Sequence, residues 1–107
     1  MKLLLQSEEM ILLSIWKLQP NAYGVTIRRR LTEATGKSWS MASVYAPLDR
    51  LTSRGLIRAI DGPPTKERGG RRRRFFELTP TGVQALSELH RVQEVLWHGF
   101  ADWAQAL

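Results

Sequence analysis

Hydrophobic residues near the start of the chain recur every three or four positions, which is the spacing of one face of an α-helix. The repeating residues are Ile11, Ile15 and Leu18, widened by Leu12 and Trp16. Ser7 precedes this stripe, and two glutamates come directly after Ser7. This order is typical of the N-terminus of a helix, where acidic residues are favoured. We therefore predict a first helix over residues 7–18, with Ser7 as its N-cap.

A second helix is predicted over residues 22–35, between Asn21 as its N-cap and Gly36 as its end. Its inward face is expected to hold Val25, Ile27, Leu31 and Ala34. Three successive arginines at 28–30 cannot all share that face, because consecutive residues of a helix point in different directions. At least two of them are therefore expected to meet solvent or an anion.

A third helix is predicted over residues 41–54, capped by Ser40 and ended by Gly55. Its buried face is expected to consist of Val44, Leu48 and Leu51, which are spaced by four and three positions. Pro47 lies near the middle of this helix and lacks a backbone N–H. We expect it to remove one backbone hydrogen bond and to bend the helix.

The hydrophobic pattern then changes from helical to alternating. We predict a strand over residues 56–61, a loop rich in glycine, proline and charge over 62–70, and a second strand over 72–78. On the second strand, Arg74, Phe76 and Leu78 share one face and Arg73, Phe75 and Glu77 the other. A long loop between paired strands is a wing, so the predicted fold is mainly α with a two-stranded β-wing: a winged helix-turn-helix whose third helix takes the recognition position.

The last segment repeats its hydrophobic residues in a heptad pattern after Thr79 and Pro80, which provide an N-cap and a first helical position. The seam consists of Leu86, Leu89, Gln93, Leu96, Phe100, Trp103 and Leu107. Such a helix can fold back on its own domain or pack on a second chain, and we favour the second chain because the seam exceeds what a small domain can cover. We expect Gly99 to loosen its last turns. We predict a DNA-binding domain over residues 1–79 and a dimerisation helix over 80–107.

Charge is distributed unevenly along the chain, whose formal net charge is +6. Residues 1–22 are neutral, residues 23–74 carry 13 Lys or Arg against four acids, and residues 75–107 carry one Arg against four acids. A basic middle section beside an acidic end favours a polyanion-binding module with a separate assembly element. The alternative, a generic solubilising surface, does not account for this segregation.

Composition narrows the function classes. With 107 residues, 43% of them hydrophobic, the chain fits one small folded domain. It has no cysteine, which excludes disulfides, thiolate nucleophiles and cysteine-based zinc sites. The longest apolar stretch, residues 10–18, is too short to cross a bilayer. We therefore expect a cytoplasmic protein that does not contact membranes, and we find no motif for catalysis or for a cofactor.

Three residues in the last helix have the spacing of a metal site. His90, Glu94 and His98 follow one another at intervals of four and would lie on one stripe, where they could bind a transition metal. A solvated helix face is the favoured interpretation, and we predict no metal site.

Several short motifs, taken together and in order, resemble the PadR-like transcriptional regulators over roughly residues 10–86. The motifs are Ala22-Tyr23-Gly24, Ser43-Val44-Tyr45-Ala46, Leu48-Asp49-Arg50-Leu51, Gly55-Leu56-Ile57, Gly69-Gly70-Arg71, Phe75-Phe76 and Leu78-Thr79-Pro80-Thr81-Gly82. The short tail is similar to the compact subgroup of the family, which has one C-terminal helix. Pro47 departs from the family pattern, since it lies one position later than the proline often seen after the family's tyrosine.

The resemblance implies a homodimer that binds a pseudo-palindromic operator in double-stranded DNA, usually as a repressor, and that in many relatives is released by a small aromatic molecule. The residues expected at the dimer interface or at such an effector site are Trp16, Leu96, Trp97, Phe100 and Trp103. Simple packing is favoured there over a ligand. The alternative function is a winged-helix module that binds a protein partner instead of DNA.

Helix 3 is expected to present to the major groove the face opposite its core stripe. That outward face consists of Ser40, Met41, Ser43, Ala46 and Pro47. These side chains are short or uncharged, so we expect modest base readout and an affinity that comes largely from phosphates. Lys37 and Ser38, just before the helix, are placed for backbone contacts.

Two tyrosines and one arginine have two interpretations each. Tyr45 on helix 3 and Tyr23 at the start of helix 2 can donate a hydroxyl to a phosphate or serve as packing residues. The N-terminus of helix 2 would assist a phosphate contact at Tyr23. Arg50 is expected to pair with a nearby acid such as Asp49 or Glu33 in preference to DNA.

The wing is the most basic segment of the chain. The residues expected to contact DNA there are Lys66, Arg68, Gly69, Gly70, Arg71, Arg72 and Arg73. The glycine pair lets the backbone approach a phosphate or a minor groove closely. The alternative is a solvated run of charge.

Overall fold

The structure, a computed structural model, describes residues 3–64 and 72–107, and at positions 63, 64 and 72 the backbone alone. Its elements are α1 (Gln6–Leu18), α2 (Gly24–Thr35), α3 (Met41–Ser53), β1 (Ile57–Pro64), β2 (Arg72–Leu78), α4 (Pro80–Trp97) and α5 (Phe100–Gln105). The two strands pair antiparallel. The predicted fold class, mainly α with a two-stranded β-wing in winged-helix order, is confirmed.

Two of the four predicted helix caps are confirmed. The hydroxyl oxygen of Ser40 accepts the N–H of Ser43 at 3.1 Å at the start of α3. At the start of α4, the hydroxyl oxygen of Thr79 accepts the N–H of Gly82, also at 3.1 Å. Each cap satisfies a backbone donor that has no partner inside its helix.

The other two predicted caps, Ser7 and Asn21, are wrong. The N-cap of α1 is Leu5, whose N–H donates to the Glu8 carboxylate at 2.8 Å. The N-cap of α2 is Tyr23, whose N–H donates to the hydroxyl of Thr26 at 3.0 Å. In both helices a side chain three residues downstream accepts the first free N–H, so no polar side chain is needed at the cap itself.

The hydrophobic core lies where the first three helices meet the strands. Its fully buried members come from all three helices: Ile11, Leu12, Ile15, Ile27, Leu31, Val44, Leu48 and Leu51. Each such side chain contributes roughly 1.5–3 kcal/mol by leaving water. The predicted inward face of α2 is wrong at Val25, which is 47% exposed, and at Ala34, which is also exposed.

Helix α3 continues through Pro47 from Met41 to Ser53. Pro47 is buried, so its prediction as an outward-facing residue is wrong. The helix is followed by Gly55 in the left-handed conformation, with φ of 73°, as predicted for a residue without a side chain.

Strand β1 extends three residues beyond its predicted end at Asp61. The pairing is regular from Ile57 opposite Leu78 to Asp61 opposite Arg74, and the register then shifts before Pro64 pairs with Arg72. On β2, Phe76 is buried and Arg74 exposed. The N–H of Phe76 donates to the carbonyl of Ala22 at 2.8 Å, which ties the wing strand to the start of α2.

The prediction of one continuous C-terminal helix is wrong. Helix α4 ends at Trp97, and Gly99 adopts a left-handed conformation, with φ of 81°, before α5 begins. The residues of the heptad seam therefore fall into two groups. Leu86 packs against the core of its own domain and Gln93 donates to the Glu9 carboxylate of α1 at 3.3 Å, whereas the residues from Val95 onwards lie beyond that domain.

None of the helices within residues 3–64 and 72–107 is both long and apolar enough to cross a membrane.

Candidate nucleic-acid interface

The first turn of α3 presents a smooth surface of small side chains. Ala42, Ser43 and Ala46 are exposed, and Met41 is half-buried. The hydroxyl of Ser43 donates to the carbonyl of Ser40 at 2.7 Å, while the hydroxyl oxygen of Ser40 accepts the N–H of Ser43. Each exposed hydroxyl makes one hydrogen bond to the backbone, so this turn allows close approach and offers the bases only short polar groups.

The loop before α3 is held by two hydrogen bonds that the sequence did not reveal. The Arg28 guanidinium donates through Nε to the carbonyl of Trp39 at 2.6 Å, and the indole N–H of Trp39 donates to the Thr35 hydroxyl oxygen at 3.0 Å. Lys37 and Ser38 lie in this loop and are exposed. Their exposed side chains thus come directly before the N-terminus of α3, and the predicted contact with phosphates stays a prediction.

Tyr45 packs against the start of α2 and remains partly exposed. A Cβ added to Gly24 would lie 2.3 Å from the Tyr45 hydroxyl oxygen and 2.8 Å from Cζ, so the ring rests on the glycine backbone. The side chain is nevertheless 44% exposed. The ring therefore packs on α2, as one interpretation predicts. The exposed part of the side chain lies beside the first turn of α2, and its contact with a phosphate stays a prediction.

Tyr23 joins the start of α2 to the second wing strand. Its ring meets Phe75 edge-on, with centroids 5.4 Å apart and planes at 72°. The guanidinium carbon of Arg73 lies 4.8 Å from the centroid of the same ring. Arg73 and Phe75 are on one face of β2, as the alternation predicted, and Tyr23 is their partner on α2. Such a cation–π contact at an exposed site is worth about 0.5–1 kcal/mol.

The tip of the wing lies outside the described residues. This applies to the predicted contacts Lys66, Arg68, Gly69, Gly70 and Arg71. Of the predicted basic residues in the wing, Arg73 is described with its side chain, and Arg72 is placed by its backbone opposite Pro64. Both lie on β2, the strand that contacts Tyr23 at the start of α2.

Arg50 pairs with an acid, as predicted, but neither Asp49 nor Glu33 is the partner. Its Nε lies 3.3 Å from the Glu8 carboxylate, which is also 3.5 Å from Nη1 of Arg54. Glu8 comes from the first turn of α1 and is 3% exposed. Sequence reasoning missed this residue because an acid in the first turn of a helix is explained by the helix dipole alone.

Three of the five predicted interface residues contact one another within the single chain. Trp97 meets Phe100 edge-on at 4.9 Å, and Phe100 lies 5.8 Å from Trp103. Leu96 is next to this cluster and is 77% exposed. Trp16 lies on α1, 51% exposed, where the Lys17 ammonium is 4.6 Å from its ring centroid. We name Trp97, Phe100 and Trp103 the tail cluster.

A groove of about 290 Å³ runs between α1 and α2. Its lining is mostly apolar and consists of Met10, Leu13, Ser14, Trp16, Lys17, Arg30, Leu31 and Ala34. The charged side chains of the lining, Lys17 and Arg30, are both cations. We name this feature the α1–α2 groove.

The stripe of His90, Glu94 and His98 is interrupted by the end of α4. Nε2 of His90 lies 2.8 Å from the Glu94 carboxylate, and His98 follows the last residue of the helix. Within residues 3–64 and 72–107, no three His, Cys, Asp or Glu side chains are grouped so that they could hold a metal ion.

Comparison with known proteins was made at the level of sequence families and of solved structures. The family described as "Transcriptional regulator PadR-like family" matches residues 12–88. A search of curated proteins found no match. The family match runs from the second half of α1 to the first half of α4.

Solved structures of bacterial regulators share the fold. A transcriptional regulator from Clostridium thermocellum has a TM-score of 0.71 at 19% identity, over 90% of this chain and 87% of that one. A PadR-like transcription factor from Bacteroides fragilis has a TM-score of 0.66 at 26% identity, over 83% of this chain and 81% of that one. Bacillus subtilis PadR, in complex with operator DNA, has a TM-score of 0.59 at 22% identity, over 77% of this chain and 45% of that one.

Proposed function

Because this chain belongs to the PadR-like family of transcriptional regulators, we propose that it binds an operator in double-stranded DNA as a homodimer. The family consists of transcriptional regulators and not of enzymes. One observation carries the proposal: side chains that can contact phosphates lie around the starts of α2 and α3. They are Lys37, Ser38, Tyr45, Tyr23 and Arg73. The operator complex of the Bacillus subtilis relative supports the same mode of action.

In this proposal the first turn of α3 enters the major groove. Its small side chains allow close approach, and its base contacts are few because the hydroxyls of Ser40 and Ser43 are short and uncharged. Affinity then comes mainly from phosphates, contacted by Lys37 and Ser38 on one side and by Tyr23, Tyr45 and the wing on the other. The wing contacts are Lys66, Arg68, Gly69, Gly70, Arg71, Arg72 and Arg73.

Dimerisation is assigned to residues 80–107, and DNA binding to residues 1–79. The end of α4 and α5 expose a row of large apolar side chains: Val95, Leu96, Trp97, Phe100, Trp103 and Leu107. Such a row in water is typical of a surface that another chain covers. The opposite half of α4 packs on its own domain through Leu86, so the two functions share this helix.

We propose that the tail cluster of one protomer fills the α1–α2 groove of its partner. The cluster is apolar and flanked by the carboxylates of Glu94 and Asp102, whereas the charged residues of the groove lining are Lys17 and Arg30. Polarity and charge are therefore complementary between the two surfaces. Two copies related by a two-fold axis would make this contact twice, and the operator would then be pseudo-palindromic.

Repression and an effector are finer parts of the proposal. A dimer bound to its operator represses transcription where it blocks access of the polymerase to a promoter. We assign the protein to the cytoplasm. A planar aromatic molecule would lodge between the tail cluster and Trp16 in the dimer. Tryptophan fluorescence titrated with planar cations and phenolic compounds tests this, and a flat response would leave simple packing as the role of these rings.

Selection of bound fragments from random DNA at two salt concentrations tests the function, with sedimentation of the free protein alongside. We expect a two-fold-symmetric motif, a dimer in solution, and affinity that falls steeply between low and moderate salt. A monomer that stays off every duplex at low salt would overturn the proposal in favour of a protein-interaction module.

A further inference from the structure

Glu8 is the one charged side chain that is buried among the described residues, at 3% exposure. Its carboxylate accepts the N–H of Leu5 at 2.8 Å, and it faces Arg50 at 3.3 Å and Arg54 at 3.5 Å. Arg50 lies in the last turn of α3 and Arg54 directly follows that helix. One carboxylate on α1 therefore holds two guanidinium groups at the C-terminal end of the helix assigned to the major groove.

The next residue in the chain faces a different helix. The carboxylate of Glu9 accepts a hydrogen bond from Gln93 of α4 at 3.3 Å, across 84 positions of sequence. Successive carboxylates in the first turn of α1 thus contact the recognition helix and the dimerisation helix.

We propose that Glu8 is a positioning residue for DNA recognition, which fixes the direction of α3 relative to α1 and α4 without touching DNA. This inference rests on the proposed function. The Glu8 carboxylate is buried, whereas the side chains of Arg50 and Arg54 are 47% and 23% exposed. Such pairs add little net stability, because burial of the carboxylate offsets the attraction. Their geometry is nevertheless well defined, and in a dimer any turn of α3 would be repeated at both half-sites.

The sign of the charge effect separates positioning from simple electrostatics. Replacing Glu8 by Gln removes a negative charge and frees two arginines from their shared carboxylate. If α3 kept its direction, a more positive protein would bind all DNA somewhat more tightly. If Glu8 positions α3, binding to the operator weakens although the protein has become more positive.

The experiment compares E8Q with E9Q, a matched variant that loses the same charge one residue away but keeps a side-chain oxygen that can accept the hydrogen bond from Gln93. Affinities are measured at one salt concentration for the duplex selected by the natural protein and for a scrambled duplex of equal length. We expect the ratio of the two affinities to fall about tenfold in E8Q, as for the loss of one base contact, and to change less than about twofold in E9Q. An E8Q protein with an unchanged ratio and a natural melting temperature would overturn the inference.

A second variant covers the case in which E8Q does not fold. R50Q removes the arginine by which Glu8 holds the last turn of α3, together with its charge, whereas Arg54, which follows the helix, keeps the buried carboxylate paired. Charge loss alone weakens operator and scrambled duplex equally, whereas misplacement of α3 lowers their ratio. An equal loss on both duplexes would therefore refute the inference. If the natural protein binds the two duplexes equally, the proposed function is wrong. If the natural protein distinguishes them and the variants do so equally well, only the inference about Glu8 is wrong.

Discussion

The ring of Tyr45 lies on the backbone of Gly24, so closely that a Cβ on Gly24 would be 2.3 Å from the tyrosine hydroxyl oxygen. The contact joins the middle of α3 to the first residue of α2. It explains why a glycine, a poor helix former, stands at the start of α2. The same contact also determines which part of the Tyr45 side chain stays exposed to solvent.

Replacing Gly24 by Ala is expected to displace the Tyr45 ring and to lower the free energy of unfolding by about 1 kcal/mol, because the added methyl group overpacks this contact. Urea denaturation measures the change. In a Y45A background the obstacle is absent, and G24A should then be neutral or stabilising, since alanine is the better helix former. Equal destabilisation in both backgrounds would show that the ring is not the obstacle.

G82A is expected to be more damaging than G24A, because the obstacle at Gly82 is backbone. A Cβ there would lie 2.0 Å from the carbonyl oxygen of Leu56, where the start of α4 packs against the residue before β1. We expect a loss of about 3 kcal/mol or more, measured by thermal or urea unfolding. Gln84, exposed two residues further along the same helix, is the matched site, and Q84A should change stability by less than about 0.5 kcal/mol.

Phe100 is the central ring of the tail cluster, since it contacts both tryptophans. F100A is therefore expected to weaken the proposed dimer by about 2 kcal/mol, or roughly thirtyfold in dissociation constant, as for a central interface aromatic. Sedimentation over a concentration series measures this. Val83 is equally exposed on the first half of α4, and V83A provides the control, with no change expected. Similar dimers for both variants would place the interface elsewhere.

Arg73 stacks on Tyr23 and is assigned to the phosphate contacts of the wing strand. R73A should lower affinity for all duplexes alike and reduce the slope of log affinity against log salt by about 0.9, the contribution of one phosphate. R91A removes the same charge from an exposed position on α4 and should leave the slope unchanged. An unchanged slope for R73A would mean that this arginine serves only to hold Tyr23.

Periodicity and capping predicted most of the DNA-binding domain, because both depend on residues close together in sequence. The buried stripe of Val44, Leu48 and Leu51 and the caps at Ser40 and Thr79 follow from spacings of three and four. The order of the elements, and with it the winged-helix fold, needed no knowledge of long-range contacts.

The sequence by itself thus determined which segments are helices and strands, where the positive charge is concentrated, and that the tail is an apolar seam. Only the tertiary structure decided the rest: that Glu8 is buried against Arg50, 42 positions away, and that the C-terminal helix is interrupted at Gly99. Local patterns record the preference of each residue for a conformation. The partner of a buried charge, or the place where a helix leaves its own domain, depends on how distant segments pack.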